Sequence, residues 1–346
     1  MREGDCNIER LTNTILGKPA DRVPNLEVLV DNRSVDALVG MPLIFPWPAK
    51  TYRTYMLPPY DYVALCQKVS MDAIMLLHYW SAVQRTDEEL AAEAAAQNPT
   101  VHDWSDLDKM GSWLDIGEMI RRLRGYKRAA EGKGIGVTVG TRSVLCNTYE
   151  TLGIQNCMIK MCEDLDLVRA VMDKYMDYAV AQTEALLDEG VDFFFIDDDV
   201  SMTTGFICPP WFMESEWFPR TDRILEPVRK KGLPILMHCC GNLRDVIPYA
   251  LRLGVHALHP FQPGANDIYA LKKQYDGQLT FMGNMDIAGV LSFGTPDEVR
   301  ADTREHIERL AGDGRYICCS SHSIIDSVPP ENFLAMVDAC HIYGTH

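Results

Sequence analysis

His238 and Cys240 lie two residues apart at the end of an apolar segment, and both side chains can bind a metal ion. In an extended strand, side chains at i and i+2 face the same way, so this imidazole and this thiol can reach one ion. The pair suits zinc, because catalytic zinc sites use three protein ligands and leave one position open. The third ligand must come from another strand, with His322 as first choice and Cys319 as second. The alternative is a hydrogen-bonded core histidine beside cysteines that pack as small hydrophobic residues.

Three consecutive carboxyl groups, Asp197, Asp198 and Asp199, follow another apolar segment. Strand alternation directs Asp197 and Asp199 to one face and Asp198 to the other. Crowded carboxylates raise each other's pKa, so one of them can serve as a general acid or a substrate anchor. We assign Asp199 as a candidate catalytic acid and Asp198 as a candidate substrate contact. The alternative is that these carboxylates hydrogen-bond to the backbone at the end of the strand and have no catalytic role.

Eight short apolar segments read as buried parallel strands, and amphipathic segments lie between them. Eight strands alternating with helices predict an α/β protein with a (β/α)₈ TIM barrel, as one domain over residues 1–346. A doubly wound sheet is the alternative, but no GxGxxG motif follows an early strand. The predicted strands are Val23–Val30, Asp72–Leu77, Ile135–Val139, Asp192–Ile196, Pro234–Met237, Ala257–Pro260, Leu279–Met282 and Arg315–Cys318. The predicted helices are Asn7–Leu16, Asp61–Val69, Leu165–Leu187, Pro219–Lys230, Leu243–Leu253, Ile268–Tyr275, Pro296–Leu310 and Glu331–His341.

The residues that follow each predicted strand are the candidates for an active site, because barrel enzymes carry it at the C-terminal ends of the strands. Tyr79 and Trp80 follow the second strand, and Phe261 and Gln262 follow the sixth, so all four are candidate substrate contacts. Residues 41–60, rich in proline and aromatic side chains, predict a lid, and residues 86–98 predict a surface helix. Aromatic residues that can stack on a ring, or else pack in the core or lid, are Tyr52, Tyr55, Tyr60, Tyr79, Trp80, Trp211 and Phe261.

The composition limits the kinds of partner. The chain has 346 residues, with 33 Lys and Arg against 49 Asp and Glu, which gives a net charge of −16. Such an acidic surface repels phosphate backbones and argues against nucleic acid. No apolar run approaches the roughly 18–20 residues that cross a bilayer, and the charged opening MREGDCNIER does not fit a signal peptide. Eleven cysteines without an export signal indicate a reducing compartment, so the sequence predicts a cytoplasmic enzyme.

Motifs along most of the chain resemble the uroporphyrinogen decarboxylase superfamily. They are RLTNTILGKPADRVPN (Arg10–Asn25), EGVDFFFIDDDVS (Glu189–Ser201), MHCCGN (Met237–Asn242), GVHALHPFQPG (Gly254–Gly264), GNMD (Gly283–Asp286), GTPDEVR (Gly294–Arg300) and YICCSSHSIIDSVPPENFLAMVDA (Tyr316–Ala339). This resemblance implies a (β/α)₈ barrel. It also implies one of two functions, since the superfamily contains decarboxylases and corrinoid-dependent methyltransferases.

The motifs favour the methyltransferase branch. Decarboxylases of the family carry an arginine-rich N-terminal motif, whereas the matching segment, Val23–Val35, has only Arg33. By contrast, His238, Cys240 and Gly241 match the H-x-C-G zinc motif of the methyltransferases. Methyltransferases that alkylate a thiol take a third zinc ligand as Cys from the loop after the eighth strand. Here that position aligns with His322, and Cys318 and Cys319 lie slightly upstream.

The resemblance implies zinc and a corrinoid (cobalamin) carried by a partner protein. Replacing a thiolate ligand by imidazole makes the zinc more electrophilic, which suits polarising an ether oxygen. The leading hypothesis is therefore O-demethylation, in which a methyl group passes from a small methoxylated, typically aromatic, substrate to the cobalt(I) of the corrinoid protein. The alternatives are methyl transfer from the corrinoid to a thiol or folate, a metal-free decarboxylase or lyase, and a corrinoid-protein binding subunit without chemistry. The oligomeric state, a homodimer included, stays open.

Overall fold

A computed structural model describes residues 4–40, 57–77, 101–108, 110 and 115–345. Seven parallel strands form one sheet in the order β1-β2-β3-β6-β7-β8-β9, and β4 pairs with β5 in a separate antiparallel hairpin. The strands are β1 (Ala73–Leu77), β2 (Gly136–Arg142), β3 (Phe194–Asp197), β4 (Ser201–Met202), β5 (Gly205–Phe206), β6 (Ile235–His238), β7 (Ala257–His259), β8 (Thr280–Met282) and β9 (Tyr316–Ile317).

Helices connect the strands and cover the outside of the sheet. They are α1 (Ile8–Leu16), α2 (Asn32–Val39), α3 (Pro59–Val69), α4 (Trp104–Leu107), α5 (Ile116–Ala130), α6 (Leu145–Leu152), α7 (Ile154–Glu163), α8 (Leu165–Glu189), α9 (Pro210–Phe212), α10 (Phe218–Lys231), α11 (Val246–Arg252), α12 (Ile268–Gln274), α13 (Val290–Phe293), α14 (Pro296–Leu310) and α15 (Pro330–Tyr343). A π-helical turn over Met213–Trp217 joins α9 to α10. Within the described ranges, no helix has the length and apolar character needed to cross a membrane.

The segment around Asn25 closes the sheet into a ring. Asn25 forms a parallel bridge with Met71 just before β1 and another with Cys318 just after β9. It therefore occupies the eighth position of the barrel, between the two edge strands. The predicted strand Val23–Val30 is wrong as a continuous strand, because this segment pairs with its neighbours only through isolated bridges.

Strand alternation separates the barrel interior from the layer between sheet and helices. The side chains that fill the interior include Met75, Phe195, Leu236, Met282 and Cys319, and Leu11 and Ile15 of α1 pack against them from one end. The intervening strand residues pack outward against the helices. A (β/α)₈ barrel is filled in this way by branched and aromatic side chains, so its interior is a core and its site lies at the mouth.

The other predicted elements agree with the structure to within a few residues. The remaining seven strands and the eight helices predicted from periodicity are all present. Of the described helices with eight or more residues, α2, α5, α6 and α7 were not predicted; the last three lie between β1 and β3, on either side of β2. The predicted surface helix 86–98 lies outside the described residues, as does 41–56, the greater part of the predicted lid.

Candidate metal centre at the mouth of the barrel

The structure brings His238, Cys240 and His322 together. One potential ligand atom from each of the three side chains lies within 4.8 Å of the other two. His238 is the final residue of β6, Cys240 is two residues further on, and His322 comes from the loop after β9. The cluster therefore sits where the C-terminal ends of the strands meet, which is where barrel enzymes carry their active sites.

The histidine ring in β6 is held by contacts on both nitrogens. His238 Nε2 lies 3.4 Å from Cys240 Sγ and 3.6 Å from Asp199 Oδ1. On the opposite side, His238 Nδ1 lies 2.7 Å from Nδ1 of His259, the last residue of β7. Nε2 is thus the nitrogen that faces the cluster.

The two alternative third ligands lie apart from this group. Cys319 points into the barrel interior, where its Sγ is 3.5 Å from Glu27 Oε2. Cys318 is fully buried in the outer layer between sheet and helices. His322 remains our prediction for the third ligand, and its Nδ1 lies 3.1 Å from Ser323 Oγ.

The protonation states of the cluster suit a cation. Burial lowers the pKa of His238 to about 4 despite the nearby Asp199 carboxylate, and burial also lowers the pKa of His322. Both imidazoles are therefore neutral at pH 7 and have a lone pair to offer. Burial, together with Asp199, raises the pKa of the Cys240 thiol. A divalent cation beside this thiol would favour the thiolate and release its proton, and two imidazoles with one thiolate form a donor set that zinc accepts.

Asp199 holds the loop that carries Cys240. Its Oδ1 accepts a hydrogen bond of 2.8 Å from the Cys240 backbone N–H. Burial acts to raise the pKa of Asp199, but the His238 ring and this N–H outweigh it and leave the pKa below its ordinary value. Asp199 as a catalytic acid stays a prediction, and the lowered pKa means that this carboxylate would first have to take up the proton that it donates. Its position in contact with the cluster is as expected.

The sequence interpretation of Asp198 as a substrate contact needs correction. Asp198 is fully buried and faces away from the barrel interior, as alternation predicts. Its two oxygens accept hydrogen bonds from the backbone N–H groups of Leu145 and Cys146 and from Trp217 Nε1. All three donors belong to the outer layer, so Asp198 fixes the start of α6 from that layer and does not line the mouth.

The two candidates that follow β7 differ in their placement. Phe261 is fully buried in the outer layer and stacks on Phe281 with ring centroids 4.4 Å apart, so it cannot contact a substrate at the mouth. Its φ of +56° turns the chain just after the strand, so following a strand end did not bring this side chain to the mouth. Gln262 does reach the candidate site, because its Oε1 accepts a hydrogen bond of 2.8 Å from the Gly241 backbone N–H.

Of the seven aromatic candidates, only Tyr60, Trp211 and Phe261 lie in the part of the chain that the structure describes. Tyr52, Tyr55, Tyr79 and Trp80 lie outside the described residues, so Tyr79 and Trp80 stay predictions as substrate contacts. Tyr60 and Trp211 are exposed, with 74% and 50% of their surface accessible.

Two buried polar residues were not among the predicted site residues, and one of them, His259, contacts the cluster. His259 was treated as part of a strand continuing to Pro260, although β7 ends at His259 itself. Glu27 lies in the apolar segment VPNLEVLV and is buried inside the barrel against Ser320. A lone carboxylate in an apolar run is the signal that marks Glu27, since such a group is rarely buried without a partner.

The fold and the cluster define a barrel enzyme with a candidate metal centre at its mouth. The family model described as Uroporphyrinogen decarboxylase (URO-D) matches residues 89–343, and the chain belongs to this family. A solved structure described as a methyltransferase from Methanosarcina mazei superimposes with a TM-score of 0.72 over 98% of this chain and 99% of that one, at 19% identity. This likeness confirms the predicted barrel.

Curated relatives come from both branches of the superfamily. The methylcobamide:CoM methyltransferase MtbA of Methanosarcina mazei is 24% identical over 261 residues, which are 74% of this chain and 73% of the relative. A methylated-thiol–coenzyme M methyltransferase of the same organism is 23% identical over 188 residues, 54% of this chain and 48% of that protein. A uroporphyrinogen decarboxylase of Syntrophotalea carbinolica is 21% identical over 300 residues, covering 80% and 83%. The predicted resemblance, and the prediction that the chain is an enzyme of the methyltransferase branch, are confirmed.

Proposed function

We propose that this chain is a zinc-dependent methyltransferase that moves a methyl group from a methoxylated substrate to the corrinoid of a partner protein. The observation that carries the proposal is the donor set at the mouth, one thiol and two neutral imidazoles within 4.8 Å of one another. The relatives support the general class, since MtbA is by name a methylcobamide methyltransferase.

The charge of the donor set favours an ether as methyl donor. When bound, zinc would supply Lewis-acid stabilisation for the oxygen that loses its methyl group. As a thiolate, Cys240 would contribute one negative charge and the neutral His238 and His322 none, so zinc with these three ligands would carry one positive charge. The Asp199 carboxylate would lie beside it. Two thiolates would cancel that charge and favour activation of a thiol instead.

The chain's own residues orient this centre. Asp199 and Gln262 accept hydrogen bonds from the consecutive loop residues Cys240 and Gly241. These two bonds fix the direction of the Cys240 side chain relative to β6. Such orientation matters because in-line methyl transfer depends on holding donor and acceptor at a set distance and angle.

A second candidate is methyl transfer from the corrinoid to a thiol, the thiol member of the thiol-or-folate alternative. The names of two relatives favour it, since both are coenzyme M methyltransferases. The site departs from the thiol pattern at one position, where His322 stands in place of a cysteine.

Metal analysis of the purified chain, prepared without chelator, tests the proposal. We expect about one zinc per chain, lost in His238→Ala, Cys240→Ala and His322→Ala. Cys239→Ala and Cys319→Ala are matched controls that remove neighbouring buried thiols outside the cluster, and both should keep zinc. Zinc that survives His322→Ala and disappears in Cys319→Ala would overturn our assignment of the third ligand.

A methyl-transfer assay separates the two candidate directions. Methoxybenzoates with reduced cobalamin should yield methylcobalamin, followed by its absorbance, and Cys240→Ala should abolish the reaction. Methylcobalamin with coenzyme M, if it is the faster pair, would establish the second candidate. Absence of zinc together with release of carbon dioxide from uroporphyrinogen would replace both by a decarboxylase.

A further inference from the structure

The strand register places four polar residues in one row across the barrel. Arg142 pairs with Asp197, Asp197 with His238, and His238 with His259. The row two residues earlier contains Phe195, Leu236 and Ala257, which pack together in the barrel interior. Side chains in register on neighbouring strands share a face, so His259 stands beside His238 on the interior side.

The contact between the two histidine rings has room for only one hydrogen atom between the two Nδ1 atoms. Their Nδ1 atoms are 2.7 Å apart, so one nitrogen donates and the other accepts. When His238 Nδ1 donates, the neutral ring has a free lone pair on Nε2, the nitrogen 3.4 Å from Cys240 Sγ. When His259 Nδ1 donates, His238 must carry its proton on Nε2 and cannot bind a metal through that atom.

The second ring nitrogen of His259, Nε2, lies in a buried environment. His259 is fully buried, and its Nε2 has no hydrogen-bond partner among the residues that the structure describes. A buried polar nitrogen without a partner is uncommon and needs an explanation. If His259 Nδ1 accepts from His238, the neutral His259 ring carries its hydrogen on Nε2, so this arrangement leaves a buried N–H without an acceptor in the described part of the chain. Metal binding at His238 Nε2 is what would offset that cost.

We propose that His259 is a positioning residue that accepts the Nδ1 proton of His238 and thereby keeps His238 Nε2 free to bind a metal ion. This inference rests on the proposed zinc centre. Metal-binding histidines commonly donate their second nitrogen to an acceptor that fixes ring orientation and tautomer, and loss of that acceptor typically weakens metal binding by about 10- to 100-fold.

A pair of variants of similar size separates the hydrogen bond from packing. His259→Asn keeps an acceptor oxygen close to the position of Nδ1, whereas His259→Leu fills similar space without an acceptor. We expect Asn to retain zinc affinity within about threefold and Leu to lose roughly 10- to 100-fold. The readout is the zinc dissociation constant, measured by competition with a chromophoric chelator, with circular dichroism to verify folding.

Each outcome bears on the inference. Equal zinc affinity in His259→Leu and wild type would overturn it, as would equal weakening in Asn and Leu, which would point to packing alone. Wild-type protein that binds no zinc would instead overturn the proposed function. Should His259→Leu fail to fold, nitrogen-15 NMR of the zinc-loaded wild type decides the matter. A proton on His238 Nδ1 and a bare His259 Nδ1 support the inference, and the reverse arrangement overturns it.

Discussion

Glu27 is a carboxyl group enclosed within the barrel, with 1% of its surface accessible. It accepts hydrogen bonds from Ser320 N and Oγ, at 2.8 and 2.7 Å, and it lies 3.5 Å from Cys319 Sγ. Burial raises its pKa from 4.5 to about 7, and the hydrogen bonds from Ser320 only partly oppose that rise. Ionisation of Glu27 near neutral pH therefore acts against the folded state.

The pH dependence of stability follows from that raised pKa. Between pH 4.5 and about 7 the folded chain binds this proton more strongly than the unfolded chain does. The penalty from Glu27 therefore grows as pH rises through this window and is complete above it. In Glu27→Gln this penalty disappears. The free energy of unfolding of the variant, relative to wild type, should therefore rise by up to about 3 kcal/mol from pH 5 to pH 8.

Urea unfolding of both proteins at the two pH values measures this gain. If the difference in unfolding free energy between Glu27→Gln and wild type is the same at pH 5 and at pH 8, Glu27 has an ordinary pKa in the folded chain. Comparing the difference between two proteins cancels the titration of every group that they share.

The loop after β6 is the element that the candidate metal centre depends on most directly. Gly241 in this loop has a φ of +84°, and a Cβ on it would lie 2.6 Å from Ser201 O and 2.7 Å from Met202 O. The β4–β5 hairpin thus approaches the loop more closely than any side chain would allow. Asn266 also binds this loop, since its Nδ2 donates to Gly241 O at 2.8 Å.

Gly241→Ala should consequently displace Cys240 and weaken zinc binding by at least about tenfold, as is typical when the support of a ligand is disturbed. Gly232→Ala is the matched control, because Gly232 also has a positive φ of +71° and no atom within 4 Å of an added Cβ. In both variants the positive φ should lower the free energy of unfolding by about 1 kcal/mol, whereas zinc affinity should fall only in Gly241→Ala. Equal zinc affinity in the two would show that the hairpin does not constrain the loop.

At the scale of single elements, the sequence predicted the features that depend on residues close together in the chain. The H-x-C spacing, the alternation of Asp197 to Asp199 and seven of the eight apolar strands each depend on neighbours within a few residues, and the structure agrees with them. Phe261 departs because a positive φ, which an aromatic residue rarely adopts, turns it away from the mouth. His259 and Glu27 acquire their surroundings from other strands, and no short pattern reveals such contacts.

At the scale of the whole molecule, closure of the barrel depends on a segment that is not a regular strand. Asn25 is fully buried between the two edges of the sheet, and its Nδ2 donates to Val69 O at 2.9 Å. The sequence predicted an eighth strand here from its β-branched residues. Only isolated bridges form, so side chains such as Asn25 share in holding the ring closed.

Asn25→Ala should therefore lower the free energy of unfolding by about 1–3 kcal/mol, because Val69 O is left buried without its donor. Gln278→Ala is the control, since Gln278 is an exposed amide in the turn before β8 and should change stability by less than about 0.5 kcal/mol. Urea denaturation followed by circular dichroism measures both. Equal stability of the two variants would mean that the bridges alone suffice for closure.

The contact between Ser320 and Glu27 joins positions 293 residues apart. A ribosome must therefore make almost the whole barrel before the two edges of the sheet can meet, and until then both edges are open to pairing with other chains. His322 leaves the ribosome only two residues after Ser320. The proposed third metal ligand and the residues that complete the ring therefore become available together, after nearly all of the barrel has been made.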